Sequence, residues 1–365
     1  MATQVIFNNG VTYAAGKNDL LVPELSYLFN QNYTSAEFPE SVISDMGYVV
    51  DNPFNPNQTY SFVYGAIEMD DVTEAELTPL LTTGKGKEKG FTVREYANKI
   101  KVTQLMRDRL NNYNPISGAD SSVKTEVKKF GNNYAALRRA GIKKKNQIAT
   151  KVWTDGLNSA GTLTFNGQYL FSTAHPFLRG LTTASTFRNV LGGSYGTQDD
   201  ALDATALQYA IDLHKSGLVL NNGDRVARPA SGYTLVVGYG LEKTAQSVLN
   251  VDANNSNSVY AGTGNNANLM NTFNFKNQKI NLLAHPVLGQ YDKTGTQIGT
   301  DAYWFLVNTE MARQANALRH IVLNPGQSST WVDEDSGNMY VKFYESYAFD
   351  HYGLESYIVG SKGTA

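Results

Sequence analysis

The residues best suited to acyl-transfer chemistry stand close together in Thr162–Pro176 (TLTFNGQYLFSTAHP), where Ser172, Thr173 and His175 fall within four positions. A serine nucleophile needs a base to take its proton and a third group to orient that base, and the members of such a set are usually far apart in sequence. A nucleophile elbow would read G-x-S-x-G, which FSTAHP does not. The competing structural reading has Ser172 or Thr173 bonding nearby backbone, with His175 held extended before Pro176. A hydrolase using Ser172 and His175 is therefore the alternative, and a structural corner is the preferred reading.

The five histidines, His175, His214, His285, His320 and His351, show neither H-x-x-x-H nor H-E-x-x-H spacing. His214 falls near the end of a predicted helix, where a cation would complement the helix dipole. GKGKEKG (84–90) has the glycines and lysines of a phosphate loop but lacks the G-K-[ST] ending, and a strand pattern follows it instead of a helix. It reads as a flexible basic ribbon tip. GYG (238–240) is too short for a dinucleotide fingerprint. No catalytic, cofactor-binding or metal residue is assigned, and no cofactor is expected.

Two stretches rich in β-branched and aromatic residues, Gln58–Met69 and Gly90–Val102, predict the strands of an extended two-stranded loop over 58–102. Such a ribbon is barely stable alone, so its lysines and arginine (Lys85, Lys87, Lys89, Arg94) are candidates for contact with a neighbouring subunit. Residues 1–57 read as an arm, with one short helix in LLVPELSYLF (20–29). Asp120 to about Asn158 predicts a long helix. Val123, Val127, Phe130, Tyr134, Leu137, Ile148 and Val152 mark one face, and lysines and arginines, among them Lys143, Lys144 and Lys145, mark the other. At about 1.5 Å per residue it would reach roughly 60 Å. Asn166-Gly167 between two short apolar runs predicts a tight type I′ hairpin.

From residue 200 helical and strand patterns alternate. A helix over 200–215, strands at 232–239, 279–284 and 303–308, and a helix at 241–249 predict an α/β domain over 203–320, with closing strands at 339–347 and 354–359. The polar loop around 251–270 has no core of its own. The whole is an α+β chain.

Its 365 residues suffice for two or three domains, and the absence of cysteine excludes disulfides and thiolate metal sites. No signal peptide or membrane-length apolar run is legible, which implies synthesis in the cytoplasm and no membrane partner. The net charge of −2 conceals an asymmetry. Residues 1–81 carry eleven acids against one lysine, whereas residues 82–151 carry seventeen basic residues against five acids. Such a division predicts two surfaces that attract each other, a basic face toward a polyanion, or simply solvated segments.

Three stretches in order, DGLNSAGTLTFNGQYLFSTAHP (155–176), NNGDRVARPASGYTLVVGYGLEKTAQSVLN (221–250) and KINLLAHPVLG…DAYWFLVN (279–308), resemble the Mu-type major head proteins of tailed bacteriophages. The likeness runs from roughly residue 90 to the C-terminus. It implies the Hong Kong 97-type capsid fold: an N-terminal arm (1–57), an extended β-hairpin loop (58–102), a peripheral domain (103–202 and 321–365) with a spine helix at about 120–158, and an axial domain (203–320). It further implies self-assembly as hexamers and pentamers into an icosahedral head around double-stranded DNA. Lys143, Lys144 and Lys145 would then face inward. Scaffold, portal and decoration proteins are the further partners such a role implies, and the virion is the location. A surface-layer or adhesive protein is the third reading, suggested by abundant Asn, Thr, Gly and Tyr.

Overall fold

A computed structural model describes residues 5–6, 12–13, 41–53, 55–64, 84–106, 121–179, 183–192, 200–220, 223–229, 232–249 and 279–363. The predicted helix at 20–29 and the loop at 251–270 lie outside these residues. Along the chain come α1 (Ser41–Asp45), β1 (Val49–Asp51), β2 (Asn57–Tyr64), β3 (Gly84–Thr92), β4 (Arg94–Val102) and α2 (Ser121–Leu157). Next are β5 (His175–Arg179), β6 (Thr183–Phe187), α3 (Ala204–Asp212), β7 (Tyr233–Gly238), α4 (Glu242–Leu249) and β8 (Ile280–His285). The chain closes with β9 (Trp304–Val307), α5 (Thr309–Gln314), β10 (Leu318–Val332), β11 (Met339–His351) and β12 (Ile358–Ser361). Helices and strands are mixed in α+β fashion. No described helix is long and apolar enough to cross a membrane.

The chain divides into two compact units, one of residues 1–40, 93–145 and 322–347, the other of residues 41–92, 146–321 and 348–365. In the first, β4 runs antiparallel to Met339–Tyr347 of β11. Along β11, Met339, Val341 and Phe343 are buried while Tyr340, Lys342 and Tyr344 are half-exposed, the period-2 signature of a one-sided sheet. The buried set packs with Val102 and Leu137, and Ile100 and Met106 fill its edge. Gly141 lies where a Cβ would come within 3.3 Å of the Phe343 ring.

The second unit is built on a sheet in the order β8-β7-β9-β12, with β7 parallel to β8 and β9 antiparallel to both β7 and β12. YTLVVG, WFLV and IVGS are buried throughout, as strands covered on both faces must be. Trp153 of α2 meets Phe305 edge-on at 5.3 Å, and Phe171 lies 5.5 Å from the same ring. Gly360 admits Phe171, whose ring carbon would stand 2.6 Å from a Cβ there. The expected 203–320 sheet thus takes its fourth strand from residues 358–361. Residues 41–51, expected within the arm, also contribute to this unit: Val42, Ile43, Met46 and Tyr48 are buried, and β1 pairs with Arg319–Ile321.

The ribbon differs from expectation. β2 pairs with β3, Tyr60 opposite Lys89, so GKGKEKG forms a strand and not a tip. Ile100 and Val102 explain the change, because β4 pairs them with Val341 and Met339 of β11. The residues between the two ribbon strands, 65–83, lie outside the described set. The Asn166-Gly167 turn is also of another type. Gly167 N donates to Thr164 O (3.0 Å), Thr164 N donates to Gln168 O (2.8 Å), and Gly167 alone of the pair has positive φ (83°). This is a type I turn closed by a left-handed glycine, without the predicted strands on either side.

Candidate functional site: the polar corner at His175 and the ribbon root

Ser172 and His175 do not form a catalytic pair. Ser172 Oγ accepts from Ala174 N at 3.2 Å, the local backbone bond that short hydroxyl side chains favour. His175 is fully buried, stacked on Phe187 at 5.1 Å. Its Nδ1 accepts from Asn166 Nδ2 (3.2 Å) and its Nε2 donates to Asn189 Oδ1 (3.1 Å). Burial holds the ring down at about 4, against the opposing bonds to Asn189 and the Leu170 backbone. A neutral, enclosed imidazole with both nitrogens engaged is a structural part.

Asn189 is the centre of this corner. It is fully buried, and Oδ1 accepts from Ser172 N (2.9 Å) as well as from His175. Its Nδ2 donates to Leu170 O (2.8 Å) and Glu355 O (3.3 Å). One amide therefore satisfies four partners from two stretches of chain, 170–175 and Glu355.

The ribbon root forms the second cluster. Lys89 is 8% exposed, although the sequence places it among outward loop cations. Its Nζ donates to Asp350 Oδ1 (2.7 Å) and His351 O (2.8 Å), and stands 5.5 Å from the Tyr352 ring. Asp350 Oδ1 also accepts from Thr162 Oγ1 (3.0 Å) and His351 N (2.8 Å). Burial lowers the lysine's affinity for its proton, while Asp350 and then Glu355 oppose that. Beside it Tyr60 stacks on Phe91 (5.3 Å) and meets Tyr352 edge-on (4.8 Å), and Arg319 lies over both tyrosines while pairing with Asp51 at 2.8 Å. The base of the ribbon is thus clamped by apolar, aromatic and ionic contacts together.

Arg94 is exposed at the start of β4, and Lys143 and Lys144 are half-buried. Lys145 is buried, paired with Glu345 at 3.1 Å and 5.7 Å from the Tyr347 ring. It is therefore not part of an open basic face, because its charge is neutralised within its own unit. Lys85 and Lys87 stand on β3, with side chains outside the described set. Among the described residues no group of His, Asp or Glu converges as metal ligands would.

All five histidines are buried. His214 sits in a π-turn after α3 and donates from Nε2 to Leu306 O (3.0 Å), and burial holds it at about 4. It is a neutral core residue, not the dipole-facing cation expected. His285 accepts from Val287 N (3.2 Å) and is likewise held at about 4. His351 is held at about 3, by burial first and then by the charge of Lys89.

Between pH 6.5 and 4 the unfolded chain binds protons that these four folded sites refuse, so stability falls as pH falls. Glu355, raised by burial to about 7, acts oppositely between 7 and 4.5, because there the folded form holds the extra proton. Each histidine corresponds to on the order of 3 kcal/mol at the acid end, and four outweigh one. Urea midpoints are expected to decline steadily from pH 6.5 to 4.5; a flat or rising series would contradict this account.

No protein-family model matches this chain, and no curated protein matches it. Solved structures do. The capsid of Myoviridae phage XM1 is similar at 16% identity and a TM-score of 0.42, over 87% of this chain and 90% of that one. The procapsid of bacteriophage JBD30 is similar at 10% identity and a TM-score of 0.45, over 95% and 77%. The virus-like particle from Pyrococcus furiosus is similar at 9% identity and a TM-score of 0.44, over 94% and 99%. These likenesses are distant.

Asn189, Asp350 and Glu355 are the important residues that sequence reasoning misses. Asn189 follows a strand of ordinary composition. Asp350 lies between the two predicted closing strands and Glu355 inside the second of them (354–359), where the structure has a 3₁₀ turn instead. A weak signal exists in Gly353, which adopts a left-handed φ of 72° to begin the 3₁₀ turn Leu354–Ser356 that carries Glu355 inward.

Proposed function

We propose that this chain is a major capsid protein, a structural subunit that assembles with copies of itself into the icosahedral head of a tailed bacteriophage around double-stranded DNA. The carrying observation is the ribbon. Among the described residues β2 and β3 form a two-stranded sheet joined to no other strand, yet their base is clamped through Lys89, Tyr60 and Phe91. A two-stranded ribbon is marginal in water by itself. A chain that fixes the base of such a ribbon so firmly is built to hold it for a second molecule.

Other features support the same reading. The Ser172–His175 corner has the bonding of a joint, which supports the structural reading over the hydrolase alternative. The acidic segment 1–81 and the basic segment 82–151 would attract each other between copies. The resemblance to Mu-type head proteins implies the same role. In this reading α2 is the spine, the β8-β7-β9-β12 sheet belongs to the axial domain, and hexamers and pentamers repeat modest contacts by symmetry into a closed shell. Arg94, with Lys85 and Lys87, would serve the ribbon's contact with its neighbour. Lys143 and Lys144 would meet DNA weakly and without sequence preference. The work is interface formation in the virion, assembled in the host cytoplasm, and not turnover.

Sedimentation velocity on the purified chain at rising concentration tests this. The expected result is conversion of small species directly to one very large species. A chain that stays monomeric up to its solubility limit would overturn the reading.

A further inference from the structure

We propose that Lys89, Asp350 and Glu355 form a proton-operated latch at the ribbon root: while Glu355 keeps its proton, Asp350 holds Lys89, and loss of that proton loosens the ribbon.

The cluster contains one buried cation and two buried carboxyl groups. Lys89 is 8% exposed, Asp350 4% and Glu355 0%. Such a set is neutral only when one carboxyl is protonated, and an uncompensated buried charge is costly. The geometry decides which one. Asp350 Oδ1 accepts from three donors, Lys89 Nζ, Thr162 Oγ1 and His351 N. Neither oxygen of Glu355 has a hydrogen-bond partner among the described residues, although its charge is felt at Lys89. The proton therefore belongs on Glu355, and burial keeps it there up to about 7.

The other cation of the clamp, Arg319 over Tyr60 and Tyr352, is paired with Asp51 at 2.8 Å, and the remaining facing groups carry no charge near neutrality. His351 donates from Nε2 to Thr162 O (3.3 Å) and is neutral. His175, whose field reaches His351, is neutral as well. Tyr352 and Tyr357 keep their protons, since burial raises both. When Glu355 ionises, Lys89 stands between two carboxylates. Relief requires Lys89 to leave Asp350 and His351 O, or Glu355 to turn toward water. Lys89 lies opposite Tyr60 in the ribbon, and Tyr60 holds Phe91, Tyr352 and Arg319, so the first movement disturbs the whole clamp. Only the consequence for assembly, a ribbon freed or fixed by pH, rests on the capsid reading.

Hydrogen exchange of the unassembled full chain from pH 5.5 to 9, corrected for intrinsic rates, tests the latch. Protection of amides in 84–92 and 350–357 is expected to hold to about pH 7, then fall by up to about tenfold per pH unit. Glu355→Gln is expected to remove that step. Protection unchanged to pH 9, or the same step in Glu355→Gln, would overturn the proposal. Should that variant not fold, infrared difference spectra of wild type labelled with ¹³C-glutamate serve instead. They are expected to show one glutamic acid titrating near 7, and full ionisation of every glutamate at pH 6 would overturn the proposal. Particle formation is scored separately by sedimentation. A step without particles counts against the capsid reading, and particles without a step count against the latch.

Discussion

Asn189→Ala is expected to lower unfolding free energy by about 4 kcal/mol, the upper range for a single substitution. The amide serves Ser172 N, His175 Nε2, Leu170 O and Glu355 O. Truncation leaves all four without that partner inside the protein, and each stranded buried group costs about 1–3 kcal/mol before local relaxation. Ser172→Ala is the contrast, since it removes one half-buried hydroxyl with a single backbone partner, and about 1 kcal/mol or less is expected. Urea denaturation of both variants at pH 7.5 checks the pair. Equal small effects would show that the corner is not organised by Asn189.

Lys89→Met is expected to cost about 3–5 kcal/mol, because it leaves Asp350 charged, buried and without its cation. Lys89→Met combined with Asp350→Asn should regain part of this loss, since the lone charge is gone. The non-additivity would measure the coupling between the two residues. Thermal unfolding monitored by near-ultraviolet circular dichroism would report the clamp as well as stability, because Tyr60, Phe91 and Tyr352 lie at the same site. A single variant as stable as wild type would mean that the pair contributes little, as exposed ion pairs do.

What could be read from the sequence follows the range of the forces involved. Helix α2 was legible almost to the residue, because a 37-residue helix declares itself through i, i+3 and i+4 spacing. The buried strands YTLVVG and WFLV were legible for a similar reason, as continuous apolar runs. The partner of β2 was not. Gly90–Val102 carries the strand pattern and Gly84–Gly90 does not, yet Val102 and Ile100 pair with Met339 and Val341, more than two hundred positions away, and β2 takes the glycine-rich run instead. The same distance hid the meaning of Lys89. Locally it belongs to a flexible, charged, glycine-rich run, and only Asp350, 261 positions on, makes it a buried anchor. Charge alone likewise placed Lys145 on an open basic face, and Glu345 removes it from there.

Cryo-electron microscopy of the purified full-length chain tests the central claim most directly. The account predicts closed shells of uniform diameter, built from this chain, with the β2–β3 ribbon lying on a neighbouring copy. Single monodisperse molecules, each with that ribbon packed against its own chain along its whole length, would contradict it.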